Sequence, residues 1–322
     1  NTTAELNTAM GYQSLYLNTT GDLNTGIGSF ALNKTTTGVR NTGVGYTSMN
    51  SNTTGDYNTA LGSHSLDANT TADNNTAVGY SALGANTTGA QNTALGHSAG
   101  GAVTTAVNTI AIGYQAGDAI TTGNNNVAVG TTAGSGITTG AGNTAIGHAS
   151  LLAVTTGANN VGVGYQSGLS LTTNGDSTFI GYTTGYNTTG NRNQFFGYAA
   201  GSQVTSGANN TIVGGFDGNE NGLDIRTASN QIALSDGDGN VRLFINSSAQ
   251  HFITNEQDYT NANNAIFCVN HSSGVRGINL HTTGTGGSDR ITFQNDNGTV
   301  GTINTSGSAT SYATSSDYRM KE

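Results

Sequence analysis

Glycine recurs along this chain at a fixed interval, at Gly11, Gly28, Gly45, Gly62, Gly79, Gly96, Gly113, Gly130, Gly147, Gly164, Gly181, Gly197 and Gly214. Eleven of the twelve intervals are 17 residues and one is 16. The residue before each is apolar: Met10, Ile27, Val44, Leu61, Val78, Leu95, Ile112, Val129, Ile146, Val163, Ile180, Phe196 and Val213. A unit this short cannot bury a core alone. Each must pack on its neighbours, so the period implies a stacked repeat architecture.

The repeat reads N-T-A-φ-G-Y-x-A/S-L/G-x-x-x-T-T-G-x-x, with φ apolar. Seventeen residues are too few for a helical hairpin, and Gly, Asn and Thr are poor helix formers. They suit short strands broken by glycine and Asn/Asp turns. The expected fold is all-β: a parallel β-solenoid or β-roll of about 13 coils over residues 1–215. With strands about 4.8 Å apart along the axis, that is a rod of about 60 Å. The recurring glycines are expected to mark a backbone turn with positive φ or a close approach of two backbones. Stacking also aligns Asn7, Asn24, Asn41, Asn58, Asn75 and Asn92 in one column, where amides in register can hydrogen-bond as a ladder. Thr19–Thr20, Thr36–Thr37, Thr53–Thr54 and Thr70–Thr71 form another column.

Only 34% of the chain is hydrophobic and Trp is absent, so one large aliphatic and a few alanines per coil must form the core. Such a coil does not exclude water from both sides of a lone rod. An apolar stripe facing identical partners repairs the shortage, which implies a homo-oligomer. Charged residues make up 8%, no Lys or Arg falls between Arg40 and Arg192, and the net charge is −9. That balance repels nucleic acid and anionic membrane, and no apolar run is long enough to cross a membrane. Cys268 is the single cysteine, so no intrachain disulfide forms; it reads as a small buried hydrophobe.

The period stops after Gly214. Residues 216–264 read as a β-hairpin, Gln231-Ile-Ala-Leu against Val241-Arg-Leu-Phe-Ile around D-G-D-G-N, followed by an Asn-rich stalk. Residues 265–309 read as a small β-rich tip with strands at Ala265–Val269, Gly277–Leu280, Arg290–Phe293 and Thr299–Ile303. Residues 310–322 form a separate junction.

Two segments resemble known families. The N-T-A-φ-G-Y-x-A repeats resemble the β-roll heads of trimeric autotransporter adhesins, although the period there is shorter, and equally resemble repeats of bacteriophage tail fibres. The run Ser316-Asp317-Tyr318-Arg319-Met320-Lys321 resembles the S-D-x-R-φ-K junction at which tail fibres and tailspikes meet an endosialidase-type intramolecular chaperone. These resemblances imply a homotrimeric fibre with a small trimeric β-domain. They also imply self-cleavage before Asp317 in the precursor, with Ser316 as nucleophile and Lys321 as its base. A desolvated lysine of lowered pKa accepts a hydroxyl proton, which makes the pair chemically coherent.

Other candidates carry a structural reading beside the functional one. Tyr12, Tyr46, Tyr80 and Tyr114, with Tyr165, Tyr182 and Tyr198, form a column that either stacks on sugar rings of a host glycan or packs across coils. Asp236, Asp238 and Asn240 are spaced like the start of a calcium loop, but no bidentate Glu follows and D-G-D-G is common turn chemistry. His97 and His148 lie three coils apart, too far for shared ligation. Sequons at Asn1, Asn18, Asn33, Asn52, Asn69, Asn86 and Asn187 read as repeat chemistry rather than glycan acceptors. No metal site and no cofactor is expected.

The functional expectation is a structural fibre of a phage tail, extracellular on the virion, that attaches to a host-surface glycan or protein receptor. Its partners would be its own copies and other tail or fibre proteins. The alternative is a bacterial trimeric surface adhesin or extracellular filament. An enzyme acting on other molecules is not expected, since the acids Glu5, Asp22, Asp56, Asp67, Asp73, Asp118 and Asp176 are scattered rather than paired.

Overall fold

The computed structural model describes residues 3–248 and, beyond them, the backbone of residues 251–253, 288–295, 298–306 and 309–314. The described residues contain strands and turns and no helix. The chain divides into two units, Asn1–His251 and Phe252–Glu322.

The first unit is a parallel β-solenoid. Each coil contributes one strand of three residues, from β1 (Thr8–Met10) to β13 (Thr211–Val213), immediately before the recurring glycine. Successive strands pair in parallel with a shift of one repeat, so Thr59 faces Thr76 and Leu61 faces Val78. The short interval keeps this register, Thr178 opposite Gln194, because coil 11 has one threonine where other coils have the Thr–Thr pair. Side chains alternate across a strand. The middle residue therefore points inward, as Ala60, Ala77, Ala94, Ala111, Ala128 and Ala145 do, fully buried. The apolar residue beside the glycine points outward.

The recurring glycines meet both expected demands. Their φ values run from +113 to +142, a region side chains rarely adopt. At Gly113 (φ +131) an added Cβ would also lie 2.6 Å from the carbonyl oxygen of Gly130 in the next coil. Three further positions per coil are left-handed without being reserved for glycine; in the fourth coil they are His64 (φ 58), Leu66 (φ 49) and Asn74 (φ 60). These reversals bend the chain round within 17 residues.

Three inward positions share the core: the middle of the strand, and the fourth and seventh residues after the glycine. Most coils place one large side chain there; the ninth holds two, Leu151 and Val154, as does the twelfth, Phe195 and Val204. Leu15, Leu32, Met49, Leu66 and Leu83 take the fourth position in the first five coils. From the sixth coil that position becomes Gly100, Gly117 and Gly134, and Val103, Ile120 and Ile137 fill the same space from the seventh. The crossing is visible at Gly117, where a Cβ would lie 2.8 Å from Ile120 Cδ1. Later Phe179 and Phe195 supply the bulk from the strand itself, over Gly185 and Gly201. Inward volume is thus held roughly level along the stack while its source moves, Leu151 and Phe179 reaching from either side into the space at Gly168, as close packing requires.

The asparagine column is buried and more productive than an amide ladder. The Asn41 side-chain oxygen accepts the backbone N–H of Asn58 at 2.9 Å, and the Asn41 amide donates to the Gly55 carbonyl at 2.7 Å. The same pair of bonds recurs at Asn58, Asn75 and Asn92, so each side chain serves the backbone of the next coil. Amide-to-amide contacts such as Asn58 to Asn41 (3.1 Å) are secondary. Threonine hydroxyls form a second ladder, Thr53 to the Thr70 carbonyl at 2.9 Å and Thr70 to Thr87 at 3.1 Å.

Past Gly214 the stack runs one coil further than residue 215. Strand β16 (Ile232–Ser235) pairs in parallel with β13 across 21 residues, Thr211 opposite Ile232. The extra length holds a small hairpin of β14 (Asn219–Glu220) and β15 (Leu223–Asp224). Strand β17 (Val241–Ile245) then returns antiparallel on β16, forming the expected hairpin and ending the parallel run. A short strand β18 (His251–Ile253) follows. In the second unit, β19 (Ser288–Asn295), β20 (Gly298–Ser306) and β21 (Ala309–Thr314) form an antiparallel sheet in chain order. The first two cover the strands expected at 290–293 and 299–303. The third draws Thr310–Thr314, assigned from sequence to the junction, into the sheet. The strands expected at 265–269 and 277–280, and most of the Asn-rich stalk, lie outside the described residues.

Candidate functional site

Two surface features run the length of the rod. The first is the outward residue of each strand beside the glycine. Leu61 and Leu95 are each 48% exposed, Met10 68%, Val213 42% and Ile180 40%, with Ile27, Val44 and Val78 partly covered. The first residue of each strand also faces out and is mostly threonine. The outer face is thus one strand wide, with apolar groups stacked at the coil spacing and no charge on it.

The second is an aromatic ladder, continuous where the sequence showed alternate rings. Phe30 and His64 enter from the second position after the glycine and fill the gaps between Tyr12, Tyr46 and Tyr80. Centroids are 5.3 Å for Tyr12–Phe30, 6.3 Å for Phe30–Tyr46, 5.4 Å for Tyr46–His64 and 5.7 Å for His64–Tyr80, all edge-to-face. From Tyr80 the rings stack: Tyr80–His97 at 5.2 Å and His97–Tyr114 at 5.4 Å. Thr131 interrupts the column. It resumes as His148–Tyr165–Tyr182–Tyr198 at 5.1–5.4 Å with planes within 12°. The signal for the missing rings was legible: wherever serine follows the glycine, as at Ser29 and Ser63, a ring comes next.

Stacking turns ring faces toward each other, leaving edges and hydroxyls for solvent. The geometry therefore matches cross-coil packing, and a sugar laid along the whole ladder finds few free faces. His97 and His148 are ladder members between or beside tyrosines. Among the described residues no group of three or more His, Cys, Asp or Glu could hold a metal ion.

The D-G-D-G-N segment is turn chemistry. One Asp236 carboxylate oxygen accepts the backbone N–H of Asp238 (3.1 Å) and Asn240 (3.0 Å), and the other accepts Arg242 at 2.6 Å. The Arg242 hydrogen bond, aided by Asn240, holds the Asp236 carboxyl below its ordinary range. Its lone pairs are occupied by the turn, so the calcium reading is set aside. Asp224 is lowered similarly by Arg226. Glu220 moves the other way: burial, then the Asp217 charge, raises it, and its Oε2 is buried with no donor.

The sequon asparagines Asn18, Asn52, Asn69 and Asn86 are buried, Asn33 is half-buried and Asn187 is exposed. Asn69 donates to Asn52 at 2.8 Å and to the Ala72 carbonyl at 3.1 Å, so a glycan there would require opening the coil. Asn1, Cys268, Ser316, Asp317 and Lys321 lie outside the described residues.

Fold and surface together define a β-solenoid repeat protein. No family model matches the chain, and neither a curated protein nor a solved structure matches it.

Proposed function

We propose that this chain is the shaft and distal part of a homotrimeric extracellular fibre, a phage tail fibre that carries host-surface attachment at a distance from the virion. The observation that carries this reading is the outward apolar stripe, repeated coil after coil on a face one strand wide. A face that narrow suits rods converging on a common axis in parallel register, where each apolar residue meets its own copies. Burial there contributes about 25 cal/mol per Å² of apolar surface, summed over the whole rod. The uninterrupted backbone ladders supply the stiffness a spacer needs.

The junction sequence Ser316-Asp317-Tyr318-Arg319-Met320-Lys321 supports maturation by a C-terminal chaperone, with the bond before Asp317 cut once and no turnover on other molecules. Native mass spectrometry of the complete gene product, beside its Ser316→Ala variant, tests both parts. The expected result is a trimer whose wild-type chains end at Ser316 and whose variant chains stay whole. A wild-type monomer would overturn the shared-stripe reading, and an uncut trimer would remove the maturation step alone.

A further inference from the structure

The fifth residue after the glycine points outward beside the aromatic ladder, and in most coils it carries a side chain: Asn33, Asn50 and Asp67 before the centre of the rod, then Asp118, Leu152 and Leu169. In two consecutive coils it is Gly84 and Gly101. Neither glycine is required by the backbone, since neither has a left-handed φ, and the nearest atoms to an added Cβ are carbonyl oxygens of their own turns at 3.2 Å. Their effect is to leave a shallow hollow of about 370 Å³, with the half-exposed Tyr80 ring as one wall, His64 and Asp67 at one end, and Ser81 and Ala85 beside them. The His64 ring is fixed by a hydrogen bond between Nδ1 and Thr47 Oγ1 at 2.8 Å, with Asp67 Oδ2 3.8 Å away. The other Asp67 oxygen is buried and accepts no hydrogen bond, so the partly exposed Oδ2 side is the one a ligand can meet.

We infer that this hollow binds one neutral hexopyranose unit of a surface glycan. The inference rests on the attachment reading above and gives it a ligand class and a place. The hollow has room for a sugar ring, the exposed side of the Tyr80 ring as an aromatic wall for apolar C–H groups, and the partly exposed Asp67 carboxylate to accept from hydroxyls. Anionic sugars are excluded by the same carboxylate and by the absence of Lys and Arg from Arg40 to Arg192.

The test is saturation-transfer NMR and titration of the purified full chain with methyl glycosides of D-glucose, D-galactose and D-mannose. The expected result is millimolar binding of at least one glycoside, with transfer concentrated on its C–H face. Gly84→Leu and Gly101→Leu should abolish binding with the melting temperature retained, because leucine already occupies this column at Leu152 and Leu169. Asp67→Asn should weaken binding by about tenfold, the loss of a charge-assisted hydrogen bond. Binding by none of the glycosides, or binding unchanged in both leucine variants, overturns the inference. Tighter binding of choline than of any glycoside overturns it in favour of a cation site. The oligomeric state separates the two readings: a trimer that binds no glycoside removes the hollow only, and a glycoside-binding monomer removes the fibre only.

Discussion

The first five coils and the five that follow share a backbone but not a core. In coils one to five a leucine or methionine sits at the fourth position in a left-handed conformation, Leu66 at φ 49 and Leu83 at φ 50, and a buried Asn or Thr stands at the seventh. In coils six to eight a glycine takes the left-handed position and an aliphatic residue replaces the asparagine; the ninth is mixed, with Leu151 and Val154, and the tenth returns to Gly168 and Leu171. The early arrangement accepts the strain of a side chain at positive φ, about 1–2 kcal/mol per residue, and gains a polar column. The late arrangement relieves that strain and gives up the column. Their junction shows the cost of mixing them. Asn86 is the last of the run Asn52, Asn69, Asn86, and its Oδ1 is buried without a donor because the next coil offers Val103. What the pair teaches is that a solenoid coil conserves inward volume and hydrogen-bond closure, not the residue at any one inward position.

The largest expected effect is one the two regions should share. Gly45→Val and Gly113→Val each add a β-branched side chain at φ +137 and +131 against a neighbouring backbone. Each should cost on the order of 4 kcal/mol in thermal or denaturant unfolding. A mild effect in either region would mean that its coils can separate to admit a side chain.

Converting one coil type into the other comes next. Leu83→Gly alone should lose about 3 kcal/mol, the transfer and cavity cost of a buried leucine offset in part by released strain. Adding Asn86→Ile should recover most of it, leaving the double variant within about 1 kcal/mol of the parent. An additive cycle would show that the two positions do not fill one space.

Hydrogen-bond closure should separate the two polar ladders. Asn75→Ala strands the backbone N–H of Asn92 inside the coil and leaves the Gly89 carbonyl with only its bond from Asn86, for about 2 kcal/mol. Thr87→Val removes one half-buried bond to the Thr104 carbonyl, for about 0.5–1 kcal/mol. Equal losses would contradict the division between a buried and a surface ladder.

The smallest effect depends on pH. Burial raises the carboxyl of Glu220 in the folded chain, so its ionisation opposes folding above the ordinary carboxylate range. Glu220→Gln should therefore raise the melting temperature at pH 7, and the gain should vanish as pH falls and the native glutamate is protonated in both states. A gain that persists at low pH would assign it to something other than charge.

The period, the parallel stacking and the recurring glycines were legible because each is a one-residue constraint repeated in phase. The exchange between the fourth and seventh positions was half-legible: Gly100, Gly117 and Gly134 were visible, but Val103, Ile120 and Ile137 stand out only once both positions are known to face one interior. The ladder was read as alternate tyrosines because Phe30 and His64 sit one residue out of phase, and a left-handed residue there brings them into the same column. The hollow was hidden for a different reason. Gly84 and Gly101 look like two more glycines among 49, and only their shared outward column makes their missing side chains a feature.

By itself, then, the sequence determined a stack of in-register coils, since a 17-residue unit with one large apolar group has no other way to bury it. Which apolar residue goes in was decided by the tertiary structure. The strands are three residues long, so pleating sends the small middle residue inside and the apolar one beside the glycine out, and the rod's outer face follows from that geometry.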